Sequence, residues 1–85
     1  MYTKIRWSLV DFKLIEPIAK TLMNGLLKYK VGGWKKVSKE DHFDALMRHL
    51  VEYRMGVTKD HESELHPLYH AITRLYFLIG LEELK

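Results

Sequence analysis

The 85 residues suffice for one small domain; 47% of them are hydrophobic, and the formal net charge at pH 7 is +3. The hydrophobic fraction argues against disorder, and the absence of cysteine excludes disulfides and zinc–thiolate sites. The weak positive charge does not by itself indicate nucleic-acid binding, and we expect no specific DNA binding. No segment approaches the roughly 18 apolar residues of a membrane span, and the first residues lack the apolar stretch of a signal peptide. We therefore expect a cytoplasmic protein without membrane contact.

Residues 1–13 predict a short extended arm. Apolar and polar side chains alternate loosely from Tyr2 to Leu9, with Ile5 and Trp7 on one side, and this period of two is typical of a strand. A chain of this length buries little apolar surface when it is alone. We therefore expect a homo-oligomer in which the arm packs against a neighbouring subunit.

The next two elements are predicted to be helices by their end signals. Pro17 suits the first turn of a helix, where its missing N–H is not needed, and Gly32-Gly33 suits the end. Ser38, with an acidic residue three positions later, predicts a capping box at the start of the second helix, and Gly56 suits its end. The expected buried stripe of the second helix is Phe43, Leu46, Met47, Leu50 and Met55.

A third helix is predicted to open at His66-Pro67, after a polar and acidic loop. Three helices with short connections predict an all-α fold, a small antiparallel three-helix assembly behind the arm. We expect residues 1–85 to form a single domain whose helical core is residues 14–85. The expected core face of the third helix is Leu68, Ile72, Leu75 and Ile79.

Two histidines on the third helix suggest a ligand site. His66 and His70 are four residues apart, so their imidazoles share one helical face and can share a metal or a phosphate. The alternative is a solvated helix start with two incidental histidines. The segment reads HPLYH, which lacks the H-E-x-x-H signature of zinc proteases, and a third ligand is not evident.

Basic and aromatic residues earlier in the chain suggest phosphate and base contacts. Trp34 follows two glycines and precedes two lysines, as suits stacking on a base, but a tryptophan at this place can equally fill the core. Lys28 and Tyr29 belong to the same neighbourhood, although a lysine-rich run is usually a solvated face. Arg48, beside His49 on the second helix, can contact phosphate or pair with a neighbouring carboxylate.

The acidic loop offers oxygen ligands. Asp60, Glu62 and Glu64 can hold a divalent ion, or they can cap the third helix at the positive end of its dipole. We favour capping for Glu64 and leave both roles open for Asp60 and Glu62.

In chain order these residues resemble the amino-terminal domain of phage dATP/dGTP diphosphohydrolases. That family has a helix ending in G-x-K-K-Y-G, then N-W, D-A-x-x-R-H-L and G-x-x-x-D-x-E-S-G-x-x-H-x-x-H. The resemblance covers about Ile15 to Leu81. The residues that carry it are Gly25, Lys28, Tyr29, Trp34, Asp44, Ala45, Arg48, His49, Leu50, Gly56, Asp60, Glu62, Ser63, His66 and His70.

The chain departs from the family pattern at four places. Lys30 and Glu64 stand where the family has glycine, and Gly33 stands where it has asparagine. The two histidines His66 and His70 are four residues apart instead of three.

The resemblance implies a phage protein with a nucleotide-type ligand, acting in the host bacterial cytoplasm. Related MazG-type pyrophosphohydrolases carry E-x-x-E and E-x-x-D pairs whose carboxylates hold Mg²⁺, and no predicted helix here carries E-x-x-E. We therefore expect an anti-defence sponge that sequesters a nucleotide or cyclic-nucleotide immune signal without cleaving it, with no cofactor and no catalytic residue. The expected ligand-binding residues are Lys28, Tyr29, Trp34, Arg48, His49, His66 and His70.

Two other functions stay open. One is a metal-dependent dATP/dGTP diphosphohydrolase in which Asp60, Glu62 and the histidines hold Mg²⁺ or Mn²⁺. The other is a protein-interaction domain that uses its basic face.

Overall fold

A computed structural model describes residues 4–83, which form an all-helical fold without strands. No helix in this part of the chain has the length and hydrophobicity to cross a membrane. Short 3-10 helices occupy Trp7–Leu9, Phe12–Leu14 and Gly33–Lys36. The three α-helices are α1 (Glu16–Gly25), α2 (Lys39–Arg54) and α3 (Pro67–Glu83).

The amino-terminal arm is not the strand that its alternating pattern predicts. Its described part turns through the two 3-10 helices at Trp7–Leu9 and Phe12–Leu14, and Asp11 caps the second by accepting a hydrogen bond from the backbone N–H of Lys13 at 3.0 Å. A strand needs a neighbouring strand for its backbone groups, and residues 4–83 supply none. Tyr2, where the predicted alternation begins, lies outside the described residues.

Helix α1 begins where Pro17 predicts, but it ends at Gly25, seven residues before the predicted glycine pair. Asparagine and glycine are weak helix formers, and they occupy its last two positions. The next residues, Leu26 and Leu27, are exposed and have no packing to hold them helical. The chain therefore leaves the helix early and runs on through turns to Gly32, whose φ is +75°.

The prediction for α2 is confirmed at both ends. Ser38 is the N-cap, and its hydroxyl oxygen accepts a hydrogen bond from the backbone N–H of Asp41 at 3.1 Å. Gly56 follows the last turn with a φ of +89°, as expected for a glycine just beyond a helix end.

The predicted core stripe of α2 is wrong for the single chain, except at Leu46. Phe43, Met47 and Met55 are exposed, and Leu50 is half-buried. Helical periodicity identifies an amphipathic face but does not say what covers it, and α3 packs on a neighbouring face of α2. The residues that this packing buries are His42, Ala45, Leu46 and His49.

Helix α3 shows the same shift. Leu68, Leu75 and Ile79 of the predicted core face are exposed. The side chains of α3 that are buried instead are Pro67, Ala71 and Thr73.

Helix α3 is the centre of the fold, because it contacts both α1 and α2, which do not contact each other. The contacts between α2 and α3 run in opposite chain order. Lys39 at the start of α2 pairs with Glu82 near the end of α3, whereas His49 further along α2 stacks on His70. The connecting loop therefore lies beside the end of α2 and the start of α3, and the polar cluster described next forms there.

Candidate functional site

Four polar side chains meet at this end of the α2–α3 pair: His49 and Glu52 from α2, Asp60 from the loop and His70 from α3. We call them the histidine–carboxylate cluster. The two imidazole rings stack with centroids 4.7 Å apart and planes inclined by 18°. Nδ1 of His49 lies 3.0 Å from Oε1 of Glu52, and Nε2 of His70 lies 4.0 Å from Oδ2 of Asp60. The cluster thus places two imidazole rings next to two carboxylates.

The loop folds around the Asp60 carboxylate. Its Oδ2 accepts hydrogen bonds from the backbone N–H groups of Glu62 at 3.1 Å and Ser63 at 3.0 Å, and from the Ser63 hydroxyl at 3.2 Å. Burial alone would raise the pKa of Asp60, but these hydrogen bonds and the nearby His70 lower it below the ordinary value. Asp60 is therefore a buried carboxylate that stays charged.

Ser63 connects Asp60 to His70. The Ser63 hydroxyl donates to Asp60, and its oxygen lies 2.6 Å from Nε2 of His70, so the histidine Nε2–H donates to that oxygen. Burial lowers the pKa of His70, and the negative charge of Asp60 opposes this only in part. His70 is therefore held as a neutral imidazole in a fixed orientation.

His49 and Glu52 face each other without forming a hydrogen bond. The His49 side chain is 7% exposed, and both its Nδ1 and Oε1 of Glu52 are buried without a hydrogen-bond partner. Burial lowers the pKa of His49, and the neighbouring His70 lowers it further. A buried neutral imidazole and a carboxylate oxygen left in this way are costly, which points to a ligand that the pair binds.

The cluster offers three candidate ligand atoms for a divalent cation. His49, Glu52 and Asp60 each offer one ligand atom, and these atoms lie within 4.8 Å of one another. Ligand atoms at about 2.1 Å from one ion are separated by roughly 3 to 4.2 Å, depending on the angle between them. The spacing of 3.0 Å between His49 and Glu52 fits two adjacent ligands of one ion.

Of the predicted site residues, the structure brings His49, His70 and Asp60 together and places Arg48 beside them. The positive charge of Arg48 contributes to lowering the pKa of both histidines and of Arg74. Arg48 is exposed and forms no ion pair within residues 4–83, so the surface pairing considered from its sequence neighbours is not present there.

Three other predicted residues lie outside the cluster. Nδ1 of His66 accepts a hydrogen bond from the backbone N–H of Leu68 at 3.0 Å, so this histidine caps the start of α3. Glu62 turns outward to Lys28, with 2.6 Å between carboxylate and ammonium. This pairing lowers the pKa of Glu62 and raises that of Lys28.

Trp34 packs against α3. Its ring stacks on Phe77 with 5.1 Å between centroids and 13° between planes, and its edge occupies the space where Gly80 lacks a side chain. Of the two roles that the sequence leaves open for Trp34, base stacking and packing in the core, this contact corresponds to packing. Tyr29, by contrast, is exposed.

A buried histidine absent from the predicted site ties three segments together. Nε2 of His42 donates to the backbone carbonyl of Trp34 at 2.9 Å, and its Nδ1 accepts from Nη1 of Arg74 at 2.8 Å. Because a guanidinium can only donate, this arrangement fixes the tautomer with hydrogen on Nε2. His42 therefore positions the half-buried Arg74, whose pKa is lowered first by burial and then by Arg48.

Glu52 and Ser63 were also missed as site residues. Glu52 lies three positions after His49, a spacing that places both on one face of a helix and that could have indicated a ligand pair. Ser63 belongs to the family pattern, but only the folded loop shows that it joins Asp60 to His70. No sequence signal indicated Arg74.

Comparisons with known proteins agree with the resemblance seen in the sequence. The family model described as dATP/dGTP diphosphohydrolase, N-terminal, matches residues 2–85. A protein of Salmonella phage PMBT28 named dATP/dGTP diphosphohydrolase is 34% identical over 74 residues, which are 87% of this chain and 26% of that protein. The chain thus spans about a quarter of the length of this relative. No solved structure matches the chain significantly.

Proposed function

Because this chain belongs to the family of dATP/dGTP diphosphohydrolase amino-terminal domains, we propose that its histidine–carboxylate cluster binds a divalent cation and the phosphates of a purine deoxynucleoside triphosphate for hydrolysis. The cation would be Mg²⁺ or Mn²⁺. We favour Mn²⁺, because an imidazole ligand suits a transition-metal ion better than it suits Mg²⁺. The nucleotide class comes from the name of the family and of its phage relative.

The buried atoms of His49 and Glu52 that lack a hydrogen-bond partner carry the proposal. Their 3.0 Å separation without a hydrogen bond suits two ligands of one ion, and Asp60 supplies a third ligand atom within reach. When bound, the cation supplies Lewis-acid chemistry that polarises a phosphoryl oxygen.

The chain's own residues hold these ligands in place. The loop N–H groups and Ser63 keep Asp60 charged and oriented, and Ser63 also fixes the His70 ring. The contact order of α2 and α3 supports an antiparallel arrangement, which brings the end of one helix and the start of the other to the same loop. Exposed Arg48 lies beside the cluster, where its guanidinium suits a phosphate.

The geometry favours hydrolysis over sequestration. Sequestration without cleavage is expected from the sequence because no predicted helix carries the E-x-x-E pair of carboxylates. Folding brings Glu52 and Asp60 together from different segments, which removes that reason. The anti-defence role and the cyclic-nucleotide ligand find no support in the cluster or in the comparisons.

The cation site is tested by calorimetric titration of the chain with Mn²⁺. We expect Glu52→Gln, which keeps the shape but removes the charge, to weaken Mn²⁺ binding by roughly 10-fold or more. Glu62→Gln is the matched control, because Glu62 lies in the same acidic loop but pairs with Lys28. Absence of Mn²⁺ binding, or an equal loss in both variants, would contradict the proposed site.

Hydrolysis is tested by incubating the chain with dATP or dGTP and Mn²⁺ and measuring the pyrophosphate released. We expect release that disappears in Glu52→Gln and persists in Glu62→Gln. Recovery of unchanged nucleotide bound to the chain would instead favour sequestration.

A further inference from the structure

The amphipathic stripes predicted for α2 and α3 remain largely exposed in the single chain. Phe43 is 53% exposed and Ile79 is 62% exposed, although both lie on apolar faces with helical spacing. We call the combined surface the apolar face. It consists of Phe43, Met47 and Leu50 from α2 and Leu68, Leu75 and Ile79 from α3.

The two stripes meet in part. A groove of about 490 Å³ lies between the helices. Leu46 and Leu50 of α2 line it from one side, Leu68 and Leu75 of α3 line it from the other, and Leu14 closes one part. Leu50, Leu68 and Leu75 of the apolar face therefore meet at one groove, whereas Phe43 lies at a second pocket, beside Leu78 of α3.

The chain exposes more surface than a compact monomer of its mass. Its accessible surface is 7217 Å² for 10.1 kDa, whereas a folded monomer of that mass exposes about 5,300 Å². Its radius of gyration is 14.1 Å, compared with about 12 Å for a compact domain of this length. Among the described residues, the buried hydrophobic side chains are only Ala45, Leu46 and Ala71. This large accessible surface and small buried core are typical of a subunit that packs against a partner.

We propose that the apolar face is the interface of a homodimer, covered by the same face of a second copy. The chain exposes about 1,900 Å² more than a compact monomer, partly on the apolar face and partly at side chains such as Trp7 and Leu9, and obligate homodimers bury a comparable area per partner. A two-fold axis would place α2 and α3 of one chain against α2 and α3 of the other. The result is a four-helix arrangement with a shared apolar core.

The interface is separate from the histidine–carboxylate cluster. On α2, His49 and Glu52 lie roughly 100° or more around the helix from Phe43, Met47 and Leu50 at 100° per residue. Dimerisation can therefore fail without affecting the cluster, and cation binding can fail without affecting the dimer.

The mass of the chain in solution, measured by light scattering during size-exclusion chromatography, provides the first test. We expect twice the 10.1 kDa mass of one chain, together with an unfolding temperature that rises with protein concentration. A single-chain mass at every concentration would overturn the proposal and leave the face to another occupant, such as the rest of a longer polypeptide.

Charge substitutions locate the interface. We expect Ile79→Lys to raise the dimer dissociation constant roughly thirty-fold or more. Val31→Lys is the matched control, because Val31 is 88% exposed and lies outside the apolar face. A dimer that Ile79→Lys leaves intact would overturn this assignment of the face.

If Ile79→Lys fails to fold as a monomer, the interface can still be tested with a spin label, which introduces no charge into the apolar face. The sequence has no cysteine, so Ile79→Cys and Val31→Cys each create one attachment site for a spin label. The position in the proposed interface should become immobilised in the dimer, whereas the label at position 31 should stay mobile. Equal mobility at the two positions would contradict the proposal.

Discussion

Glu64 holds a backbone conformation that normally belongs to glycine. Its φ is +61°, a left-handed value that costs a residue with a Cβ atom about 1 to 2 kcal/mol. The family pattern has glycine at this position. The Glu64 N–H donates to the backbone carbonyl of Asp60 at 2.8 Å, so the strained residue closes the loop that holds the Asp60 carboxylate.

Replacing Glu64 with glycine should stabilise the fold. The relief of left-handed strain outweighs the larger unfolded-state entropy of glycine, so we expect Glu64→Gly to raise the free energy of unfolding by about 0.5 to 1 kcal/mol. Urea denaturation measures the change. Glu64→Ala removes the charge but keeps the Cβ atom, and an equal gain in that variant would attribute the effect to charge and not to the backbone.

The helices of this chain are easier to predict from the sequence than the faces they bury. Ser38 and Gly56 delimit α2 by local capping chemistry, which acts within a few residues and can be predicted from sequence. The buried face depends on where α3 approaches α2, and periodicity contains no such information. His42 illustrates the limit, since a histidine within an apparently polar stretch becomes fully buried between Trp34 and Arg74.

The contact of Trp34 with α3 makes Gly80 a structural requirement. A glycine within a helix usually gains about 1 kcal/mol of stability on replacement by alanine, but a Cβ at position 80 would overlap the Trp34 ring. We therefore expect Gly80→Ala to destabilise the fold by about 1 to 3 kcal/mol, with a change in tryptophan fluorescence. Denaturation followed by fluorescence measures both effects.

Gly25 provides the control for Gly80. It ends α1, and a Cβ placed there meets no atom within 4 Å, so Gly25→Ala should be neutral or stabilising. Destabilisation of both variants to the same extent would show that the Trp34 contact does not explain the requirement at position 80.

The site as a whole could be predicted from the sequence only in part. His49, Asp60 and His70 were identified as candidates, but Glu52 joins Asp60 only after the loop folds back between α2 and α3. An E-x-x-E motif pairs carboxylates on one helix, whereas the loop here brings together two carboxylates that no local motif connects. The sequence likewise predicts the apolar stripes of α2 and α3. That these stripes are exposed is seen only in the folded single chain.

The unfolding temperature distinguishes cation binding from dimerisation, because each makes it depend on a different concentration. A cation that binds only the folded state raises stability by RT ln(1 + [L]/Kd), about 2.7 kcal/mol at 100 times Kd. We expect saturating Mn²⁺ to raise the unfolding temperature of the wild-type chain, and excess chelator to reverse the rise. Dimerisation makes the same temperature depend on protein concentration.

The two dependences should be lost independently. Glu52→Gln should abolish the response to Mn²⁺ and keep the dependence on protein concentration, because Glu52 lies away from the apolar face. Ile79→Lys should reduce the dependence on protein concentration while a folded monomer keeps its response to Mn²⁺. Both variants are measured by calorimetry at two protein concentrations, with and without the cation. Loss of both responses in Glu52→Gln would show that the cluster and the interface are coupled, in contradiction to their separation on α2.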